Sequence, residues 1–253
     1  MQIASPLLDF FRRGDVARDI RMLAAQGALA PRPHEQLSLL VLLVSDDDPA
    51  IAHTAEATLQ AIPRESLAAF LARSEVSSEL RAFFAARGIE PAAVAAPDGN
   101  APIVDTAPEP EGAPESENEQ SALQRISRMN VAERITVAMK GSREERAILI
   151  RDPNKIVAAA VLSSPKLTET EVEAIAKMAS VSEDTLRIIA NSRAWVKNYG
   201  VVFGLTKNPK TPLAISMNLL SRLSERDLRV LSTDRNIPDT LRLTARKKVV
   251  MDK

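Results

Sequence analysis

The feature that most constrains this chain is a run of helix-forming sequence that returns. Between Asp152 and Arg193 the sequence reads DPNKIVAAAVLSSPKLTETEVEAIAKMASVSEDTLRIIANSR, and weaker copies stand on both sides of it. Asp152-Pro153 opens the run, and an apolar, Ala-rich helix follows. Ser163-Ser164-Pro165 breaks that helix, a second starts at Thr168, and Val181-Ser182 leads into a third that carries Leu186-Arg187. Asn208-Pro209 opens the next copy, in which SRLSERD stands where SPKLTETE stood and Ile237-Pro238-Asp239-Thr240-Leu241-Arg242 answers Val181 to Arg187. Pro153 to Val181 and Pro209 to Ile237 are both 28 positions apart. A third copy runs from Asp48-Pro49 to Val76-Ser77-Ser78-Glu79-Leu80-Arg81 and is one residue shorter. A unit of this length cannot bury its apolar face alone, so copies must stack, and a period in this range is the mark of a helical solenoid.

Capping chemistry repeats along with hydrophobicity. Asp48 has the composition of an N-cap with Pro49 at the first helical position, where a missing N–H costs nothing, and the same Asx-Pro start is expected at Asp152 and Asn208. Ser142-x-x-Glu145 and Thr168-x-x-Glu171 have the form of capping boxes, and Ser224-x-x-Asp227 stands at the matching place in the next copy. In the amino-terminal part Val16, Ile20 and Leu23 share one helix face, Gly27 fits a helix C-terminus, and Gln36 to Val44 is apolar nearly all round, hence buried. Before Asn208, AWVKNYGVVFGLTK reads as a helix in which Gly200 and Gly204 permit a close helix–helix approach. No β-type alternation appears, and the expectation is an all-α chain. Aromatics are only 3% of the residues, so its core must be built from Leu, Ile, Val and Ala.

Composition shifts sharply once. From Ala92 to Gln120 the composition shifts to Ala, Pro, Glu, Asp and Gly, too poor in apolar surface to offset the entropy of ordering, and it reads as a disordered acidic linker. The net charge of zero hides the resulting asymmetry: residues 1–90 hold 9 basic and 12 acidic groups, 91–121 hold none and 7, and 122–253 hold 24 and 14. The linker is a plain tether on this reading; a weaker alternative has its carboxylates lying along the basic part and screening it.

With those units laid out, the chain resembles the bacterial HEAT-like and leucine-rich-repeat-variant α-helical repeat proteins. The resemblance is carried by Leu167-Thr168 through Glu171-Val172 and Ile175-Ala176, by Val181-Ser182 with Leu186-Arg187 and Ile189-Ala190-Asn191, and by Asn208-Pro209-Lys210-Thr211-Pro212. Ser45 to Leu59, SDDDPAIAHTAEATL, is similar to a HEAT helix on its own. It implies an α-solenoid of HEAT-like repeats in two parts, 1–90 and 122–253, joined by a disordered linker at 91–121. It also implies a binding role without catalytic residues. Variant-repeat proteins can carry a cysteine-ligated iron–sulfur cluster, which this chain, with no cysteine, has no ligands to hold.

There is no Gly-rich phosphate loop, no G-x-S-x-G and no H-E-x-x-H. His34 and His53 lack matched carboxylates, and Asp46-Asp47-Asp48 lacks the alternation and central Gly of a calcium loop. No metal, cofactor or catalytic residue is expected. The amino terminus lacks the pattern of a secretory signal, and the longest apolar stretch, Leu37 to Val44 interrupted by Ser38, is too short to cross a bilayer, so the expectation is a cytoplasmic chain without membrane insertion.

Two groups of residues are candidates for binding. Trp195 and Tyr199, the only Trp and Tyr, fall at i and i+4 on an expected common helix face, flanked by Arg193, Lys197 and Asn198, and suit a protein partner if exposed together. The alternative is that both rings fill the groove between neighbouring repeats. Arg187, Arg242, Arg246, Lys247 and Lys248 suit a polyanion, although the scarcity of aromatics argues against stacking on single-stranded bases. The reading is a non-enzymatic adaptor or scaffold that binds a protein. The alternatives are nucleic-acid binding by the basic part and a regulatory subunit of an enzyme.

Overall fold

The computed structural model describes residues 6–29, 32–93, 103 and 119–251. Among them the chain is all α: sixteen α-helices, two 3-10 turns and no strand. Of the stretch read as a linker, residues 94–102 and 104–118 lie outside the described residues. The chain divides into two compact units, Met1–Leu149 with Ile156–Lys166 and Ile150–Lys155 with Leu167–Lys253. The units divide near residues 150–167, whereas the sequence reading divides the chain at the acidic stretch.

The first unit begins with α1 (Pro6–Arg13), α2 (Arg18–Ala25), α3 (Pro33–Leu43), α4 (Pro49–Ala61), α5 (Arg64–Leu71) and α6 (Ser78–Ala85). It continues with α7 (Glu119–Arg128), α8 (Val131–Lys140), α9 (Arg143–Leu149) and α10 (Lys155–Ser163), whose first residue falls to the other unit. Gly27, at φ +77°, ends α2 in the left-handed conformation that glycine adopts without steric cost, and the Ala28 N–H reaches back to the Leu23 carbonyl at 3.1 Å. α3 is buried along Gln36, Leu37, Leu39, Leu40 and Leu43 and packs on α1, α2, α4 and α6. α8 lies against α2 and α9. Every residue of α10 from Ile156 to Ser163 is buried, as a helix apolar all round requires.

The second unit holds α11 (Glu169–Lys177), α12 (Glu183–Asn191), α13 (Tyr199–Lys207), α14 (Leu213–Leu219), α15 (Glu225–Thr233) and α16 (Asp239–Met251). One corner recurs in it. The residues that end α11, α12, α13 and α15 are Met178, Ser192, Asn208 and Asp234, and all hold φ between −73° and −78° with ψ between 108° and 121°. Each donates its N–H to the carbonyl three residues back, at Ile175, Ile189, Leu205 and Leu231. The chain thus leaves each of these helices through a tightened last turn and straightens at the same point. Three residues after Met178, Asn208 and Asp234, a buried side chain plugs the corner: Val181, Thr211 and Ile237. Val181 and Ile237 are followed by buried Leu186 and Leu241, as Val76 is by Leu80 in the first unit.

The capping expectations divide. Asp48 does cap α4, accepting the Ala50 N–H at 2.9 Å with Pro49 at the first position. Thr168 and Glu171 form both halves of a capping box, as do Ser142 and Glu145. Asp152 and Asn208, however, start no helix. They accept the N–H groups of Asn154 at 2.8 Å and Lys210 at 3.0 Å, and α10 and α14 begin only at Lys155 and Leu213. In the second case Pro212 disfavours helical dihedrals at Thr211, so the chain must turn before it can coil.

The expected close approach at Gly200 and Gly204 is present. α13 packs along α11, and a Cβ at Gly204 would lie 3.2 Å from the Ala176 Cβ, while one at Gly200 would run into the Glu173 carboxylate.

Candidate functional site

The junction between α12 and α13 contains the first group of candidates, and it is not one helix. Trp195–Lys197 is a 3-10 turn closed by the Asn198 N–H on the Trp195 carbonyl at 3.1 Å. Asn198 then straightens, at φ −71° and ψ 121°, and its side chain accepts the Gly200 N–H at 2.8 Å to cap α13. The expected common helix face of Trp195 and Tyr199 is therefore corrected. The cause is local: an asparagine whose amide oxygen can hold a nearby N–H competes with continuation of the helix. Trp195 is half-buried, Arg193 and Lys197 are exposed, and Asn198 is occupied as a cap.

Tyr199 is 45% exposed, yet its hydroxyl is fully engaged. It accepts the backbone N–H of Ser224 at 3.0 Å and donates to the carboxylate of Asp227. The logic is that of a capping box with one member too short. In α11 the N3 residue is Glu171, which reaches back to the Thr168 N–H at 2.9 Å. In α15 the N3 residue is Asp227, one methylene shorter; it accepts the Ser224 hydroxyl at 2.9 Å, and the Ser224 N–H is taken by the phenol of Tyr199. Arg222 adds a second tie, donating to the Val196 carbonyl of the 3-10 turn. Tyr199→Phe should therefore loosen the start of α15 and lower the stability of the chain by about 1 kcal/mol, the net worth of a partly exposed hydrogen-bond pair. Thermal denaturation checks this, and an unchanged melting temperature would mean that water replaces the phenol without loss.

The polyanion candidates separate into paired and free cations. Arg187 pairs with Glu183 at 2.6 Å and Arg242 with Asp239 at 2.6 Å, each within its own helix. Arg81, which follows the matching leucine in the first unit, donates to the Leu71 carbonyl at 3.1 Å and the Arg73 carbonyl at 2.5 Å. On α16 the buried line is Leu241 and Ala245; Arg246 and Lys247 are exposed beyond it, near the exposed Leu243 and Val250, and Lys248 is half-buried. Among the described residues Arg193, Lys197, Arg246, Lys247 and Lys248 form no ion pair. The structure thus leaves two sets of unneutralised cations, at the α12–α13 junction and on α16.

Asp46 pairs with Arg21 at 2.5 Å and Asp48 with Arg18 at 2.7 Å, so arginines meet the first and last carboxylates of the acidic run. The Arg18 hydrogen bond holds the Asp48 carboxyl below its ordinary value, with the Ala50 N–H adding to it. Burial on α3 lowers the His34 imidazole, opposed by Glu75 and reinforced by Arg12. Among the described residues no three His, Asp or Glu side chains converge in a metal-binding group, and no helix is long and apolar enough to cross a membrane. Asn208, Asp227 and Arg222, which tie the second unit together, were not singled out for these roles from the sequence. The sequence offered Asn198 as a binding candidate with an amide able to bond a backbone group, and Asn208 and Asp227 as capping positions, without the partners they meet here.

No family model, no curated protein and no solved structure matches this chain.

Proposed function

We propose that the chain is a non-enzymatic helical-repeat scaffold of the HEAT-like kind that binds a protein partner through the surface of its second unit. The observation that carries this reading is the recurring corner at Met178, Asn208 and Asp234, together with the lengthwise packing of α11 on α13. Corners of one geometry set helix pairs side by side, and stacked pairs present extended surfaces suited to macromolecules. The partner is acidic, since the exposed cations at Arg193, Lys197, Arg246 and Lys247 lack counter-charges of their own. The acidic stretch at 91–121 acts as a tether. Affinity capture on the full chain from its native host, with and without nuclease, tests the reading: the same protein should be retained under both conditions and be lost with Arg193→Glu/Lys197→Glu or Arg246→Glu/Lys247→Glu.

Nucleic-acid binding is the second reading, favoured by the same unneutralised pair on α16. It requires a steep loss of affinity with salt, each duplex phosphate contact contributing about −0.9 to the log–log slope. Arg246→Glu/Lys247→Glu should flatten that slope, whereas Arg242, already paired with Asp239, should matter less. Absence of any duplex or single-strand binding at low salt removes this reading.

A further inference from the structure

The start of α15 is fastened to the junction between α12 and α13 at two points. The hydroxyl of Tyr199 accepts the Ser224 N–H at 3.0 Å and donates to the Asp227 carboxylate, and Arg222 donates to the carbonyl of Val196. These bonds bring together side chains that lie 25 or more residues apart in the sequence.

The tie at Arg222 carries an electrostatic cost. The carbonyl it binds belongs to the peptide bond joining Val196 to Lys197, so a guanidinium stands beside the backbone of a second cation. A neutral amide donor would hold the same carbonyl without that repulsion. Among the described residues Arg193, Lys197, Arg222 and Arg226 are all exposed and form no ion pair. Glu225 does not offset them, because it pairs with Arg229 at 2.5 Å. Asp227 is engaged by the hydroxyls of Tyr199 and Ser224. Positive charge gathered in this way and left uncompensated is complementary to carboxylates from outside.

Tyr199 adds an apolar element. Its side chain is 45% exposed, yet its hydroxyl is engaged within the protein. What it offers outside is a ring held in one orientation, so docking on it costs little side-chain entropy. Trp195 is half-buried in the adjoining 3-10 turn. Tyr, Trp and Arg are the residue types that dominate binding energy at protein surfaces.

We propose that this junction, with Tyr199, Lys197 and Arg222 at its centre, binds an acidic segment of a partner protein, an aliphatic side chain of that segment resting on the Tyr199 ring while flanking carboxylates meet Lys197 and Arg222. The proposal rests on the protein-binding reading above and narrows it to one place and one chemistry.

Trp195, the only Trp in the chain, reports on the site directly. The synthetic peptide EELEELEE, titrated into the full chain, should shift Trp195 emission and bind at least tenfold more tightly than EESEESEE, which keeps every charge. Lys197→Gln/Arg222→Gln should weaken EELEELEE at least tenfold. Glutamine at position 222 retains an N–H donor for the Val196 carbonyl, and an unchanged melting temperature shows that the tie is kept. Arg246→Gln/Lys247→Gln, on α16, should leave the titration as it is in the wild type. Equal binding of the two peptides, or equal weakening by the two double variants, overturns the proposal, since charge alone, as a nucleic acid would meet it, then explains the binding. Absence of any Trp195 shift overturns it too. The peptide comparison needs no substitution, so it decides even where a variant fails to fold. In the capture experiment, loss of the native partner with Arg246→Glu/Lys247→Glu alone would overturn this site and leave the protein-binding reading in place. No partner captured at all, with the peptide results as expected, would end that reading instead.

Discussion

Asn208→Ala should destabilise the second unit by about 3 kcal/mol, because three backbone groups lose their partner together. Asn208 is buried at the end of α13; its Nδ2 donates to the Ala176 carbonyl at 2.9 Å and the Met178 carbonyl at 3.0 Å, and its Oδ1 accepts the Lys210 N–H at 3.0 Å. The first two bonds close the end of α11, and the third holds the turn into α14. Asn208→Asp separates these roles. It keeps the acceptor for Lys210 but presents a carboxylate to two carbonyls, and should destabilise at least as much as alanine. Asp152 and Asp234 hold similar turns with carboxylates, bonding Asn154 and Asn236, so a turn alone is satisfied by Asp. Denaturant unfolding of the three proteins checks the order. If Asn208→Asp behaves like the wild type, the turn is what matters and the bonds to α11 contribute little.

Gly141→Ala should cost a similar amount, about 3 kcal/mol, by forcing atoms together that have nowhere to go. A Cβ there would lie 2.5 Å from the Val137 carbonyl oxygen, which is backbone, and would also collide with the Glu145 carboxylate. Glu145 cannot swing aside cheaply: it is buried, accepts the Ser142 N–H at 2.6 Å and pairs with Arg125. The internal control is Gly200→Ala, whose new methyl has the end of the partly exposed Glu173 side chain as its nearest neighbour. That change should be close to neutral, since Ala favours helix over Gly by about 1 kcal/mol. Gly204→Ala should fall between them, with Ala176 3.2 Å away on the packed face of α11. Equal melting temperatures for Gly141→Ala and Gly200→Ala would contradict this account.

What the sequence disclosed was local chemistry. The Asp48 cap, the Thr168 and Ser142 boxes, the Gly27 terminus and the Gly200/Gly204 approach all rest on residues within a few positions of one another or on a missing side chain, and each is present. The helical class followed from period and caps in the same way. What stayed hidden involves partners that no local pattern names. The Tyr199 phenol meets a cap 25 residues on, Asn208 reaches 30 and 32 residues back, and Ile103 meets a glutamine 67 residues away. The break at Asn198 lay between these cases. An amide able to bond a backbone group was visible there, but the i, i+4 spacing of Trp195 and Tyr199 suggested a continuous helix, and the local side-chain bond prevailed.

The ties in the second unit can also be viewed as closed loops of covalent chain. One loop runs from Ala176 to Asn208, a second from Val196 to Arg222 and a third from Tyr199 to Asp227. They overlap, so residues 176–227 lie inside at least one closed circuit throughout. Lengthening the chain by a single residue anywhere in that span changes the circumference of a circuit whose closing bond has a fixed reach. The corner at Arg235 and Asn236 lies outside all three, and both residues are exposed. Divergent versions of this unit should therefore vary in length at that last corner and keep the residue count of the preceding 52 positions.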